Sequence, residues 1–428
     1  MEISQLYRIF EQHPRVQTDT RLLQAGEIFF ALKGPNFNGN SFASKALEIG
    51  AAAVVIDEPT IPSGPKVFLV PDALETLQAL AKHHRRQFNI PFIAITGSNG
   101  KTTTKDLIHA VLSTTFNTHT TKGNLNNHIG IPLTLLSIPI EAEMAVIEMG
   151  ANHQKEIEGY CTIALPTHGL ITNCGKAHME GFGGVEGIKK GKGELFEYIA
   201  NQEGTAFING DLDYFEGMSK QIKHRVFYGN KRGSFTTAVM QDEPLLVIEV
   251  LDPQWGKQRI FTRLVGAYNK PNIEAAICIG KYFDISLDKI RTAIESYSPD
   301  NARSQLIEKG TNKIILDAYN SNPSSMQVAL ENFTRQKSEN KYLFVGAMME
   351  LGEDSIKEHR LLSEAIQQSG IQHVILVGGD FSKITHPFLY FDDSATASLW
   401  VKENHPSDAL ILIKGSRSTK MEKILDAL

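Results

Sequence analysis

Pro91-Phe92-Ile93-Ala94-Ile95-Thr96-Gly97-Ser98-Asn99-Gly100-Lys101-Thr102-Thr103-Thr104-Lys105 is the stretch that decides how this chain folds. Its apolar, partly β-branched start predicts a buried strand. Gly97, Ser98, Asn99 and Gly100 then predict a turn. Beyond it, Leu107-Ile108 and Val111-Leu112 place apolar pairs about one helical turn apart, so a helix should begin near Gly100. A strand, a glycine-rich turn and a helix N-terminus together form a cradle for phosphate. Backbone N–H groups from residues 97–103 and the positive end of the helix dipole face the anion, Lys101 adds a point charge, and Thr102 offers a hydroxyl to Mg²⁺. The strict phosphate-loop pattern has glycine where this chain has Ile95, so the strand–turn–helix context carries the assignment. A glycine turn followed by a surface lysine is the plainer alternative.

Working outward, 428 residues exceed one typical hydrophobic core and imply about two to four domains. Hydrophobic content of 42% and charged content of 21% are those of an ordinary globular protein. A formal charge of −5 without a long basic block gives no reason to expect nucleic acid as a partner. The three cysteines, Cys161, Cys174 and Cys278, lack metal-ligand spacing and suit a reduced, cytoplasmic compartment. Met1-Glu2-Ile3-Ser4-Gln5 has no basic region followed by an apolar run, so no signal peptide is expected. No apolar stretch is long enough to span a bilayer.

Residues 1–88 read as a small N-terminal α/β domain, with strands near 28–32, 52–56 and 66–70 and helices near 41–49 and 72–88. Within it, Gly34-Pro35-Asn36-Phe37-Asn38-Gly39-Asn40 is rich in turn formers and either connects elements or presents amides to a ligand. Residues 89–298 form the central domain. After the phosphate loop, residues 144–147 predict a second strand ending at Glu148, and residues 169–172 a third, followed closely by His178. Strands separated by helices imply a parallel sheet, which binds ligands beyond the carboxyl ends of its strands. Residues 225–265 turn to short β-like runs, and a helix is expected after Lys270-Pro271. Residues 299–428 alternate strands near 313–316, 342–345, 373–377 and 409–413 with helices starting near Pro323, Ser355, Ala395 and Thr419, which is a Rossmann-like α/β pattern. The expected class is therefore α/β, with a central P-loop-type parallel-sheet domain flanked by two smaller α/β domains.

Among chemistry-bearing residues, Thr102 and Glu148 suit the oxygen preference of Mg²⁺. His178 is a less usual ligand and reads equally well as a hydrogen-bonding loop residue. Gly187-Ile188-Lys189-Lys190-Gly191-Lys192-Gly193-Glu194 is either a solvated helix face or a set of lysines facing phosphates.

The motifs taken together resemble the Mur ligases of peptidoglycan synthesis. The resemblance rests on Gly97-Ser98-Asn99-Gly100-Lys101-Thr102-Thr103, Gly123-Asn124-Leu125-Asn126-Asn127-His128, Glu148-Met149-Gly150-Ala151-Asn152-His153 and Ala177-His178-Met179-Glu180-Gly181. It continues through Gly191-Lys192-Gly193-Glu194, Asp317-Ala318-Tyr319-Asn320-Ser321-Asn322-Pro323 and Lys414-Gly415-Ser416-Arg417, and so covers all three domains. It implies an ATP-dependent amide ligase that acts through an acyl phosphate. The implied substrates are UDP-N-acetylmuramoyl-tripeptide and D-alanyl-D-alanine, and the chain is expected to work as a monomer.

Residue by residue, the resemblance implies that Thr20, Arg21, Asn38 and Gly39 contact the UDP end of the substrate. Lys101 is expected at the β- and γ-phosphates, and Thr102, Glu148 and His178 at magnesium. Lys192 matches the family lysine that is carbamylated, a change that turns a cation into an anionic oxygen ligand. Asn269 is expected near adenine, Arg303 at the phosphates and Asp317 at the ribose. Asn126, Asn127, Tyr319, Asn320 and Asn322 are expected at the acceptor and donor peptides. Lys101 and Arg303 lie in different domains and should converge only when bound ligands bridge them. The rival readings are another ligase of the same superfamily, such as a folylpolyglutamate synthase, and a P-loop ATPase without ligation. ADP release that requires both peptide substrates separates them.

Overall fold

A computed structural model of the chain describes residues 2–428; Met1, with which the expected N-terminal domain begins, lies outside them. The first helix, α1 (Ile3–Gln12), buries Leu6, Tyr7 and Phe10 on one stripe. Four strands follow, β1 (Val16–Gln17), β2 (Ile28–Phe30), β3 (Ala53–Ile56) and β4 (Val67–Leu69), paired in parallel in that order. Helix α2 (Ala43–Ile49) precedes β3, and α3 (Ala73–Arg85) closes the segment. Asp72 starts α3 by accepting a hydrogen bond from the Glu75 amide, as an N-cap should.

The central sheet is built from β5 (Phe92–Thr96), β6 (Thr118–Thr120), β7 (Met144–Glu148), β8 (His168–Ile171), β9 (Thr205–Asn209) and β10 (His224–Tyr228). Their spatial order is β10-β9-β8-β5-β7-β6, all parallel. Between them run α4 (Lys101–Leu112), α5 (Gly130–Leu136), α6 (Glu156–Ala164) and α7 (Val185–Asn201). Strand β5 is buried throughout, and its side chains alternate between two cores. Phe92 and Ala94 face the core that holds Ile147, Ile171 and Phe196, whereas Ile93 and Ile95 face the one that holds Val146, Leu170 and Phe207. Apolar residues on both faces are what a strand covered by helices on either side requires.

The β-like runs that follow form an antiparallel sheet of β11 (Thr236–Gln241), β12 (Val247–Asp252) and β13 (Gly256–Phe261). Helices α8 (Lys270–Tyr282), with Pro271 in its first turn, and α9 (Leu287–Ser296) lead to the last domain. There the strands are β14 (Gln305–Lys309), β15 (Asn312–Asp317), β16 (Lys341–Gly346), β17 (His373–Val377), β18 (Leu389–Phe391) and β19 (Leu410–Lys414). Their order is β14-β15-β19-β16-β17-β18, with helices α10 (Pro323–Arg335), α11 (Ser355–Gln368), α12 (Ser394–Asn404) and α13 (Glu422–Ala427) in the connections.

Three features depart from the sequence reading. Helix α1 was not foreseen, although Ile3, Leu6, Tyr7 and Phe10 are spaced as an amphipathic helix demands. The C-terminal sheet is not wholly parallel, because β14 pairs antiparallel with β15 across a tight turn at Gly310, whose φ is +61°. Glycine reaches that left-handed region without steric cost. Finally, the N-terminal segment does not keep its core to itself. One continuous apolar cluster joins Leu6, Leu77 and Leu80 to Leu135, Ile157 and Phe196 of the central domain.

Arg85 fastens that junction. It is buried, and its guanidinium donates to the carbonyl oxygens of Ala164 (2.8 Å), Leu165 (2.8 Å) and Phe88 (3.0 Å) while lying 3.5 Å over the Phe92 ring. Burial lowers its pKa to about 10, which leaves it charged at neutral pH. Hydrogen bonds from a charged donor contribute about 1.5–3 kcal/mol each, and stranded buried carbonyls add to the loss. Arg85→Ala should therefore lower stability by about 3 kcal/mol or more. Denaturant titration checks this, and an unchanged midpoint would remove Arg85 from the junction.

Candidate active site

The turn between β5 and α4 lies against the end of β8. Gly97 has φ +144°, and a Cβ there would fall 2.0 Å from Thr172 Oγ1. Gly100 takes the left-handed conformation at the start of α4, with no side chain capping that helix. Its first-turn N–H groups are thus free of an internal side-chain acceptor, as an anion site requires. The turn is held from behind. Thr172 Oγ1 and Asn173 Nδ2 donate to the Asn99 carbonyl at 2.6 and 3.0 Å, Asn173 Oδ1 accepts from the Asn99 amide at 3.1 Å, and Ser98 Oγ donates to Gly175 O at 2.8 Å. Asn173 was missed from sequence, although it lies two residues beyond the end of β8.

Lys101 folds back on this turn, with Nζ donating to Gly97 O (2.7 Å) and Ser98 O (3.1 Å). Burial lowers its pKa to about 8; nearby Glu148 opposes the shift and Arg303 adds to it. Thr102 is buried and donates to Glu148 Oε2 at 2.9 Å, while the other Glu148 oxygen accepts from Asn126 Nδ2 at 2.8 Å. Asn126 is therefore a partner of Glu148. Asn127 caps the start of α5, its Oδ1 accepting from the Ile129 and Gly130 amides.

Lys192 sits within α7, buried, with Nζ donating to Ala151 O at 3.0 Å. Burial first, and then the charge of Lys101, pull its pKa down to about 7. Gly191 beside it is needed because a Cβ there would come within 2.4 Å of the Phe182 ring. Two residues along the helix, Glu194 accepts from the Lys155 and Glu158 amides and so ties the start of α6 to α7.

The C-terminal domain closes the site. One cleft of about 760 Å³ is lined by Ser98, Asn99, Gly100, Lys101 and Thr103 on one side, and by Arg303, Asp317, Tyr319, Asn320 and Asn322 on the other. Asn126, Asn127, Glu148, His178 and Asn269 also line it. That volume is within the range of small-ligand sites. Lys101 and Arg303 thus meet in a domain arrangement that protein contacts hold by themselves. Asn322 Nδ2 donates to Asn99 Oδ1 at 2.8 Å, Lys176 Nζ to Glu358 Oε1 at 2.8 Å, and the Lys176 amide to Ser324 Oγ at 2.9 Å. His178 Nδ1 pairs with Glu350 Oε2 at 2.5 Å, which holds the Glu350 carboxyl below the usual carboxylate range. Nothing in the sequence pointed to Glu350 or Glu358.

Asn269 is buried, donating to Val265 O and accepting from Asn272 Nδ2, both at 2.9 Å. Asp317 pairs with Lys414 Nζ at 2.5 Å. The Arg303 guanidinium lies 3.8 Å from the Tyr319 ring centroid, and its buried Nε has no protein partner among the described residues.

Thr20, Arg21, Asn38 and Gly39 do not line this cleft. Arg21 pairs with Asp19 and holds that carboxyl down at about 2. Asn38 donates to Glu58 at 2.9 Å and accepts from Asn40, and Gly39 passes against the Leu32 backbone, which a Cβ would strike at 2.6 Å. Among the described residues no three His, Cys, Asp or Glu side chains cluster as a metal site.

Residues 95–280 match the family described as the Mur ligase middle domain, and residues 302–417 the Mur ligase glutamate ligase domain. The chain is 34% identical to the UDP-N-acetylmuramoyl-tripeptide–D-alanyl-D-alanine ligase of Bacillus subtilis (strain 168), over 96% of this chain and 92% of the relative. It is also 34% identical to the ligase of the same name from Escherichia coli (strain K12), over 96% and 93%. Among solved structures, MurF from Acinetobacter baumannii superposes with a TM-score of 0.86 at 30% identity, covering 96% of this chain and 92% of that one. MurF ligase from Thermotoga maritima in complex with ADP gives a TM-score of 0.86 at 27% identity, covering 96% of each.

The Gly97 geometry gives a direct test of the turn. An alanine there meets both the Thr172 overlap and an unfavourable φ, a strain of about 1–3 kcal/mol that moves the loop amides. Gly97→Ala should weaken binding of a non-hydrolysable ATP analogue by about tenfold or more, read by calorimetry. Equal affinity would show that the loop amides do not hold the nucleotide.

Proposed function

This chain belongs to the Mur ligase family, and from that premise we propose that it joins D-alanyl-D-alanine to UDP-N-acetylmuramoyl-tripeptide at the expense of ATP, in peptidoglycan precursor synthesis. The convergence of Lys101 and Arg303 on one cleft, beside uncapped first-turn amides of α4, is the observation that carries the reading. A carboxylate is a poor acylating agent because its oxygen leaves badly. Attack of the tripeptide's terminal carboxylate oxygen on the γ-phosphorus, with ADP leaving, yields an acyl phosphate. The dipeptide amine then attacks the acyl carbon, inorganic phosphate leaves, and the amine loses a proton. Phosphoryl transfer needs in-line positioning and neutralised charge, which Lys101, Arg303 and the loop amides are placed to provide. A cleft closed by a second domain also keeps water from the acyl phosphate.

The donor set around Glu148 suits Mg²⁺. A hydroxyl and a carboxylate lie in contact at Thr102 and Glu148, oxygen donors of the kind that Mg²⁺ takes together with substrate phosphates. Bound there, Mg²⁺ would offset the charge on the phosphate oxygens. His178 borders the same cleft; Glu350 holds its Nδ1, which leaves Nε2 as the nitrogen that would face the ion. Burial and the charge of Lys101 pull the Lys192 pKa down to about 7, which favours the neutral amine, the form that reacts with carbon dioxide to give a carbamate. Asn269 and Asp317 are assigned to the adenosine, and Tyr319, Asn320 and Asn322 to the peptides. Thr20, Arg21, Asn38 and Gly39 are assigned to the UDP end, away from the cleft. Domain limits of 1–88, 89–298 and 299–428, a monomeric state and a cytoplasmic location complete the proposal. No helix among the described residues is long and apolar enough to cross a membrane.

Lys101→Ala should abolish ADP release while leaving binding of the UDP-linked tripeptide within about threefold, since the lysine serves only the phosphates. Retained turnover would refute the phosphate role. For Lys192, ¹³C NMR of protein in labelled bicarbonate should show a carbamate resonance that grows as pH rises through about 7, where the amine loses its proton. Lys192→Ala should lack both the resonance and activity; a mutant with full activity would end the assignment.

A further inference from the structure

Of the two guanidinium groups beside Tyr319, the ligase mechanism uses one. Strands β15 and β19 pair in parallel with Asp317 opposite Lys414, so the segments leaving their carboxyl ends run side by side. The Asp317–Lys414 ion pair locks the first step of that path, and the Ser321 and Ser416 hydroxyls, 3.0 Å apart, lock the next. This stitching sets Arg417 against the Tyr319–Asn320 turn, with its Cζ 5.5 Å from the Tyr319 ring centroid. Arg303 approaches the same ring at 3.8 Å.

Their surroundings differ. Arg303 lines the cleft and lies close enough to Lys101 to help depress its pKa. Arg417 is exposed and stands outside the cleft lining. Among the described residues, Arg417 has no carboxylate within ion-pair distance. One arginine thus lies in the cleft lining and another outside it, both beside Tyr319.

The acceptor peptide is equally asymmetric. Its amine must reach an acyl phosphate inside the cleft, whereas its carboxylate is best kept away from the phosphate charge. Two residues span about 7 Å when extended, so with the amine inside, the other end emerges near the rim. An arginine fork matches a carboxylate in two parallel hydrogen bonds, and an exposed one can do so without a large desolvation cost. Resting on the ligase reading above, we propose that Arg417 receives the C-terminal carboxylate of the incoming dipeptide, and that this contact sets both the direction in which the dipeptide enters and the preference for a free carboxyl end. The structural features that hold Arg417 in place, Lys414 and Ser416, belong to the same short motif.

The test compares D-alanyl-D-alanine with its C-terminal amide as acceptors, at saturating ATP and UDP-linked tripeptide. The wild-type protein should favour the free carboxylate by about 10- to 100-fold in kcat/KM, the range of a hydrogen-bonded charge. Arg417→Met should reduce that ratio to within about threefold, chiefly by raising KM for the dipeptide, while KM for ATP and tripeptide stays within about twofold. Arg417→Lys should keep part of the ratio, since a point charge remains without the fork. A wild-type-like ratio in Arg417→Met would overturn the assignment of Arg417 alone. A wild-type protein that makes no amide with either acceptor would overturn the ligase reading, and this proposal with it.

Discussion

Gly97 can pass Thr172 only because it has no side chain. The clearance is so small that a single methyl group would overlap the threonine hydroxyl, and much of the site follows from it. With the turn pressed on the end of β8, Thr172 and Asn173 take up the Asn99 backbone groups, which leaves the amides at the start of α4 facing outward. Lys101 is brought over the turn, Thr102 is aimed at Glu148 from the neighbouring strand, and Asn99 is left to face the other domain. Three adjacent parallel strands, β8, β5 and β7, thus deliver their carboxyl ends to one place, where an α/β sheet binds its ligands.

The two sides of the cleft are joined differently from the two halves of the apolar core. The N-terminal segment and the central domain share buried Leu, Ile and Phe side chains, and Arg85 is sunk in their junction. Separating them would expose that surface at about 25 cal/mol per Å². The C-terminal domain meets the phosphate loop and the segment after β8 through polar contacts instead. These are an amide pair, a Lys–Glu pair and a His–Glu pair, each with a partly exposed member. Ion pairs of this kind contribute roughly 0–1 kcal/mol each. The polar contacts at the phosphate loop can therefore exchange at little cost, while Val265 stays sunk in the C-terminal core, as suits a domain that must admit and release three substrates. His178 illustrates the economy: the side chain that would serve a metal also helps to hold the domain.

Burial supplies the remaining chemistry. Lys101 and Lys192 are both pushed toward neutrality by desolvation, with Arg303 adding to the shift at Lys101 and Lys101 to that at Lys192. Two lysines this close in a partly dry site call for anions. On the proposed reading a phosphate would answer the first, and a carbamate the second by turning a buried cation into an anion.

The phosphate turn, the parallel sheets and the residue types of the site were legible in the sequence, because each depends on local pattern. A glycine turn between an apolar strand and an amphipathic helix can form little else. A strand end then marked Glu148 and the loop after another marked His178, whereas Asp317 came from the family resemblance. Helix α1 had a signal that went unread, and β14 had only the weak one of a glycine turn. Other facts had no local signal. Glu350 and Glu358 are surface-type residues that gain meaning only where a second domain meets them, and Asn126 and Asn127 turn out to brace Glu148 and α5. The depressed pKa of Lys192 likewise arises from its neighbours. Sequence determines which backbone paths and donor atoms exist, since these follow from neighbouring residues along the chain. Only the tertiary structure decides which of those atoms are near one another and how much water is left between them, and both depend on residues hundreds of positions apart.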